Sequence, residues 1–126
     1  MTKGTNPKDL IGLKKPQMHL IPGTFLVHLA EVMQDGAKKY TPYNWREQSI
    51  QLTAYTSAMM RHLVAFMDGE NLAPDSRAHH LAHIGAGCAI VIDAMESGTL
   101  IDDRPEHAKT AEVVKRFTKD IVKGPQ

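Results

Sequence analysis

The chain has 126 residues and a mass of 14.0 kDa, with 42% hydrophobic and 23% charged residues, which is typical of one compact domain and too short for two. Fifteen Lys and Arg residues against fourteen Asp and Glu give a net charge of +1, which argues against a polybasic protein that binds extended nucleic acid. One cysteine excludes an internal disulfide, and the sequence has neither an apolar run of transmembrane length nor a signal-peptide core, so we expect a cytoplasmic protein.

Residues 1–22 are predicted to form an extended arm. They show no sustained helical spacing, and they contain three of the seven prolines of the chain: Pro7, Pro16 and Pro22. Apolar residues such as Leu10 and Met18 are unusual in an unstructured tail, so we expect the arm to pack on the domain or on a neighbouring subunit. Residues 23–126 are expected to form a single helical domain.

The first helix of the domain is predicted to begin with Thr24 as its N-cap and to end in the region 36–40. The segment KKYTPYNWRE follows, and its density of turn formers predicts a loop. The second helix is predicted from about Glu47 to Met67, because its apolar residues repeat every three or four positions.

The third helix is predicted over residues 77–96, with Ser76 as its N-cap and Gly98 just beyond its end. Its many Ala and Gly residues would let another backbone approach closely, so it is expected to be the central helix. A fourth, amphipathic helix is predicted from Val113, Val114, Phe117 and Ile121. The pattern indicates an all-α fold, a compact bundle of about four helices with the extended N-terminal arm, which completes its core as a homo-oligomer.

Histidines are concentrated in the second and third helices. His80 and His83 are three residues apart and could reach one ligand, and they could converge with Arg61, His62 and Glu70 if the two helices run antiparallel. Arginine offers phosphate a planar donor fork, histidine moves a proton near neutral pH, and a glutamate can accept from a ribose hydroxyl. The structural alternative is an Arg61–Glu70 ion pair beside buried, hydrogen-bonded histidines.

A metal site is a second interpretation of the histidines. Asp93 lies ten residues after His83, close to three helical turns, so His80, His83 and Asp93 are candidate ligands of a divalent cation. The spacing is not that of HExxH, and we assign no metal ligand. The carboxylate pair Glu31 and Asp35 is explained equally well by a solvated helix face.

The segment 38–46 combines cations with aromatic rings, as phosphate binding and base stacking require. Its candidate ligand contacts are Lys39, Tyr40, Asn44, Trp45 and Arg46. Trp45 could instead anchor the loop to the core, and Lys15 in the arm could add a phosphate contact. The motifs GxxxxGK[ST], GxGxxG and GxSxG are absent, so P-loop, Rossmann and α/β-hydrolase chemistry lose their usual support.

Four segments between residues 14 and 97 carry a family resemblance: KKPQMHLIP, LAEVMQDGAKKYTPYNWR, RHLVAFMDGE and HHLAHIGAGCAIVIDA. With them the chain resembles a phage and prophage domain family described as the N-terminal domain of dATP/dGTP diphosphohydrolase. The resemblance implies a phage origin, a helical fold and a connection to purine deoxynucleotides. The signature that it implies includes Lys15, Lys39, Tyr40, Asn44, Trp45, Arg46, Arg61, His62, Glu70, His80 and His83. It also implies that a separate MazG-like region of the longer enzyme supplies the magnesium-binding acids.

We therefore expect a protein that binds and sequesters a purine nucleotide or a nucleotide-derived immune signal, with no cofactor required. The first alternative is a metal-dependent (deoxy)nucleotide phosphohydrolase that uses Mg²⁺ or Mn²⁺, with His62 or Glu70 activating water. The second is a helical protein-interaction module. The expected partners are a small nucleotide and further copies of the chain, without membrane or extended nucleic acid, in the cytoplasm of an infected bacterial host.

Overall fold

The computed structural model describes residues 6–120, and in this part the chain is mostly helical, which confirms the predicted all-α fold. The helices are α1 (Pro7–Gly12), α2 (Gly23–Tyr40), α3 (Asn44–Glu47), α4 (Leu52–Met67), α5 (His80–Ser97) and α6 (Thr110–Phe117). Two short strands, β1 (Ile50–Gln51) and β2 (Leu100–Ile101), pair in parallel, with Ile50 opposite Leu100. Within residues 6–120, no helix is both long and apolar enough to cross a membrane.

The helix α5 is the central element, because α4 packs along one side of it and α2 along another. Two glycines permit these close approaches. A Cβ atom at Gly85 would lie 2.5 Å from Cζ of Phe25 in α2, and one at Gly87 would lie 2.8 Å from Cγ of Met59 in α4. The small-residue helix therefore occupies the central position that its composition predicts.

The three long helices form an open layer, since α2 and α4 make their extensive contacts with α5 rather than with each other. The core of this layer is small. The buried apolar residues are Trp45, Leu52, Ala73, Ala82, Ala86, Val91 and Ala94. Many larger apolar side chains consequently remain exposed.

The helix boundaries depart from the predictions at three N-termini. The first long helix, α2, begins at Gly23 with Pro22 as its N-cap, so the prediction of Thr24 as this N-cap is wrong. The second long helix, α4, begins at Leu52 rather than near Glu47, because residues 44–51 form α3 and β1. In α5, His79 is the N-cap, and its Nδ1 accepts a hydrogen bond from the Leu81 amide at 3.0 Å. The prediction of Ser76 as this N-cap is wrong. Gly98 ends the helix in the left-handed conformation with φ of 74°, as expected.

The arm is not extended throughout, since it contains α1 and a 3-10 turn at Met18–Leu20. The side chain of Asn6 caps α1 by accepting from the Lys8 amide at 2.9 Å, and Pro7 takes the first helical position. Both terminal helices expose apolar side chains, among them Ile11 of α1 and Phe117 of α6. Residues 1–5 of the predicted arm and Ile121 of the predicted fourth helix lie outside the described residues.

Candidate functional site

His62 of α4 and His80 of α5 form a hydrogen-bonded chain that ends on Glu70. The two Nδ1 atoms lie 2.8 Å apart, and Nε2 of His80 lies 2.6 Å from Oε1 of Glu70. With both rings neutral, His80 donates its Nε2 proton to the carboxylate and accepts the Nδ1 proton of His62. The Nε2 atom of His62 then carries a lone pair that is available to a ligand or to a proton.

His83 stacks on His62, with ring centroids 4.3 Å apart and planes within 5° of parallel. Its Nε2 lies 2.7 Å from Oγ of Ser76, in the loop between α4 and α5. The same hydroxyl oxygen accepts from the Ala78 amide at 3.2 Å, so its proton is free to be donated to His83. The Ser76 loop thereby fixes the orientation of the second imidazole.

Both stacked histidines are held in the neutral form at neutral pH. Burial lowers the pKa of His62, and the neighbouring His83 and His80 lower it further, because two adjacent imidazoles cannot easily both be charged. Burial also lowers the pKa of His83, while Asp75 acts in the opposite direction. An arriving anion would reverse this balance, since it favours the protonated rings.

Lys39 at the end of α2 acts electrostatically on His83. Its Nζ is 3.1 Å from Oδ2 of Asp35, and the hydrogen bond to that carboxylate raises the pKa of the lysine. Its charge is also among the influences that lower the pKa of His83, after burial and His80. The side chain is exposed and free to exchange Asp35 for another anion.

A cavity of about 550 Å³ lies between α2, the loop that follows it, α4 and α5. Four aromatic rings contribute to its wall: Tyr40, Tyr43, Trp45 and Tyr55. Tyr40 and Tyr43 are mostly exposed, whereas Tyr55 is half-buried. Apolar side chains from α2 and α5, such as Met33 and Ile90, complete the lining. The volume lies within the range of small-molecule sites.

Asp93 of α5 fixes the short helix α3 at the rim of the cavity. Nε1 of Trp45 donates to Oδ2 of Asp93 at 2.6 Å, and Arg46 donates to the same carboxylate from Nε at 2.7 Å and Nη2 at 2.8 Å. Arg46, and then Trp45, hold the pKa of Asp93 at about 2. The Arg46 guanidinium also lies 4.5 Å from the centre of the Tyr43 ring. Trp45 thus anchors α3 to α5 and also lines the cavity.

The cavity and the histidine cluster lie along the same faces of α4 and α5, and we call them together the groove. Tyr55 precedes His62 by seven residues on the same face of α4, which separates them by about 10 Å along the helix axis. Adjacent residues at the end of α2 reach both parts, since Tyr40 lines the cavity and Lys39 acts on His83. The arrangement offers stacking surfaces at one end and proton donors or acceptors at the other.

The model of the family "dATP/dGTP diphosphohydrolase, N-terminal" matches residues 5–104, which are 100 of the 126 residues. The chain belongs to this family. The match includes every residue of the groove and ends before α6. The comparisons with curated proteins and with solved structures found no match.

Of the signature residues predicted for this member of the diphosphohydrolase N-terminal family, His62, Glu70, His80 and His83 form one connected cluster. Tyr40, Asn44 and Trp45 line the cavity, and Arg46 lies at its rim on Asp93. Lys15 is exposed in the arm. The grouping brings most of the predicted set to one groove.

Arg61 stands apart from the histidine chain although it precedes His62. Its Nη1 donates to Oγ of Ser57 at 3.1 Å, on the exposed side of α4. Glu70 instead pairs with His80, so the ion pair considered between Arg61 and Glu70 is not among those of residues 6–120.

The candidate metal ligands do not converge. Asp93 lies ten residues beyond His83, or about 15 Å along α5, and its carboxylate is engaged by Arg46. Across the part of the chain that the structure describes, no three His, Cys, Asp or Glu side chains form a group that could hold a metal ion. Of the other carboxylate pair, Asp35 contacts Lys39, and both Glu31 and Asp35 line a second, polar cavity.

Sequence reasoning missed two residues of the groove. Tyr55 belongs to the apolar repeat that predicts the second helix, and Ser76 was predicted only as a helix cap. The seven-residue interval between Tyr55 and His62, two helical turns, was the available signal that both lie on one face of α4.

Proposed function

We propose that the chain binds a purine nucleotide, with the base in the aromatic cavity and the phosphates at the stacked histidines. One observation carries the proposal: an aromatic cavity of about 550 Å³ lies roughly 10 Å along α4 and α5 from a cluster of imidazoles with a lysine nearby. A nucleotide has the same division into a flat apolar end and an anionic end.

At the base end of the groove, the aromatic rings offer flat faces on which a nucleobase can stack. Stacking of a base on an aromatic side chain is worth roughly 1–3 kcal/mol and tolerates any base, because every base has a π-face. Tyr40 and Tyr43 are exposed enough to receive a ring, and Tyr55 is half-buried within the cavity. The family description names dATP and dGTP diphosphohydrolase, which favours purine deoxynucleotides as the ligand class.

At the phosphate end, Lys39 supplies a positive charge that is paired with Asp35 in the free protein. His62 and His83, whose pKa values are lowered in the free protein, take up protons when the phosphate binds. A phosphate beside His62 and His83 stabilises their charged forms, so binding takes up protons and strengthens as the pH falls. The charge of Arg61 is among the influences that lower the pKa of His62, so we propose this exposed arginine as a further phosphate contact. The Nε and Nη2 donors of Arg46 are instead occupied by Asp93.

We further propose that the protein sequesters the nucleotide that it binds. Retention of a nucleotide or of a nucleotide-derived immune signal, without turnover, would sequester it during phage infection of a bacterium. This use requires slow release and no metal.

Hydrolysis of the nucleotide is the second candidate, and the chain from Glu70 through His80 to His62 favours it. A carboxylate that orients one imidazole, which in turn orients a second, leaves Nε2 of His62 suited to accept a proton from water. In this version Mg²⁺ or Mn²⁺ would neutralise the phosphates.

The deciding experiment is incubation of the purified protein with dATP, dGTP, ATP, GTP and their monophosphates, with and without Mg²⁺ or Mn²⁺. Bound and free molecules are then separated, and the bound fraction is released by denaturation. Recovery of unchanged nucleotide supports binding, a new product supports hydrolysis, and no retained or altered nucleotide contradicts both.

Matched variants connect the result to the groove. Lys39→Ala should weaken nucleotide affinity roughly tenfold, whereas Lys115→Ala, which removes an exposed lysine of α6 that lines neither cavity, should leave it unchanged. Tyr55→Leu keeps an apolar side chain but removes the ring and should also weaken binding. Equal affinities of all three variants and the wild type would place the ligand elsewhere.

A further inference from the structure

The surface of the helical layer opposite the cavity is apolar and exposed. On α5 it consists of residues spaced by 7, 4 and 3 positions, which share one helix face: Leu81, Cys88, Ile92 and Met95. On α4 it follows the i, i+3, i+4, i+7 pattern: Met60, Leu63, Val64 and Met67. Ile92 and Val64 are each 60% exposed. We call these eight residues the back surface.

The two stripes of the back surface are neighbours on the same side of the layer. Sγ of Cys88 in the α5 stripe lies 3.6 Å from Sδ of Met59 in α4. Met59 is adjacent in sequence to Met60, the first residue of the α4 stripe, so the two stripes lie side by side. At 100° per residue, Cys88 and Ile92 point roughly 160° away from Ala86 and Ile90, which line the cavity. The cavity and the back surface therefore face opposite directions.

The accessible area of the chain is larger than that expected of a compact monomer of the same mass. A folded monomer of 14.0 kDa should expose about 6,700 Å², whereas this chain exposes 10670 Å². Residues 6–22 and 102–120, which are exposed at almost every position, account for much of this excess of about 4,000 Å², and the back surface lies within the body of the layer. A standard interface needs only about 800 Å² from each partner. A domain core also requires two packed layers, and α2, α4 and α5 supply one.

We propose that a second copy of this chain covers the back surface, so that two helical layers pack back to back with their cavities facing outward. The eight residues include no charged side chain, so the surface is complementary to itself under a two-fold axis and needs no partner of opposite charge. Interfaces of this apolar kind belong to permanent homodimers rather than to transient complexes.

The test measures the mass of the full chain by light scattering and analytical ultracentrifugation, and its Tm at two protein concentrations tenfold apart. The wild type should have a multiple of 14.0 kDa, with a Tm that rises with concentration. Val64→Glu and Ile92→Glu should each shift the mass toward 14.0 kDa. Ala54→Glu, which places the same charge on an exposed position of α4 outside the stripe, should keep the wild-type mass.

A wild type of 14.0 kDa with a concentration-independent Tm would overturn the proposal, and this readout stands even if the glutamate variants do not fold. An oligomer whose mass survives both Val64→Glu and Ile92→Glu would overturn the choice of surface. Neither measurement involves nucleotide, so the outcome is independent of the proposed ligand.

Discussion

Replacing Gly87 by alanine tests how closely α4 approaches α5. An alanine Cβ here would lie 2.8 Å from Cγ and 2.9 Å from Sδ of Met59, well inside the roughly 3.5–4.0 Å of an ordinary carbon contact. Cγ is close to the α4 backbone, so rotation of the methionine tip alone does not relieve the overlap. Overpacking costs roughly 1–3 kcal/mol, and the gain in helix propensity offsets roughly 1 kcal/mol of that. We expect Gly87→Ala to lower the free energy of unfolding by about 1 kcal/mol.

The matched control is Gly36→Ala in α2. Gly36 is also inside a long helix, but a Cβ there would meet nothing within 4 Å. Its substitution should raise the free energy of unfolding by roughly 0.5–1 kcal/mol, because alanine has the better helix propensity. The two alanine variants should therefore differ by about 2 kcal/mol in urea denaturation at one fixed protein concentration.

A double-mutant cycle identifies Met59 as the cause. In a Met59→Ala background the overlap is gone, so Gly87→Ala should become neutral or stabilising, with a coupling energy of roughly 1–3 kcal/mol. Equal effects of Gly87→Ala in both backgrounds would refute the reasoning, and so would a Gly87→Ala variant as stable as Gly36→Ala.

Three further predictions concern charged groups. Arg61→Ala should change the free energy of unfolding by less than about 0.5 kcal/mol, because within residues 6–120 its exposed guanidinium makes a single hydrogen bond, to Ser57. It should nevertheless weaken nucleotide binding roughly tenfold in calorimetry, with Arg61→Lys intermediate. Unchanged affinity would remove Arg61 from the site. Because the pKa values of His62 and His83 are lowered in the folded chain, the unfolded chain binds more protons below about pH 6.5, and stability should fall from pH 7 toward pH 5. His83→Gln should flatten this dependence in urea unfolding, and an equal slope would contradict it. Because the pKa of Asp93 is lowered to about 2, its ionised form stabilises the fold above its ordinary pKa, and this contribution disappears as the pH falls toward 2. Asp93→Asn should therefore lower the Tm at pH 7 and approach the wild type near pH 2, whereas a constant difference would be evidence against this assignment.

The long helices were predictable because each carries a repeated pattern. Apolar spacing located α2, α4 and α5, and the Ala and Gly content of α5 indicated its central position before any contact was known. The short elements carry no such repetition. A helix of four residues such as α3, or a pair of two-residue strands, is decided by contacts distant in sequence, for example Ile50 with Leu100. The capping signal of α1 was present in Asn6 and Pro7, but the prolines of the arm obscured it.

The site was predictable to the extent that it depends on neighbouring helices. Antiparallel α4 and α5 bring His62 to His80 and His83, as the short connection between the helices indicated. The partners of Arg46 were not predictable in this way, because Asp93 lies 47 residues away and has no pattern that relates it to the loop. Asp93 lies toward the C-terminal end of α5 and is bonded to Trp45 and Arg46, so its carboxylate does not reach the histidines at the N-terminal end of the helix.

The two surfaces of the layer depend on the same small residues. Gly85 and Gly87 let α2 and α4 approach α5 so closely that the central helix reaches both surfaces, with Ile90 toward the cavity and Ile92 toward the back surface. The α4–α5 distance that Gly87 sets also holds His62 against His80. A helix with larger side chains would have moved α4 outward, which would separate the imidazoles and divide the two apolar stripes. The composition of α5 therefore serves the geometry of the groove and the continuity of the back surface together.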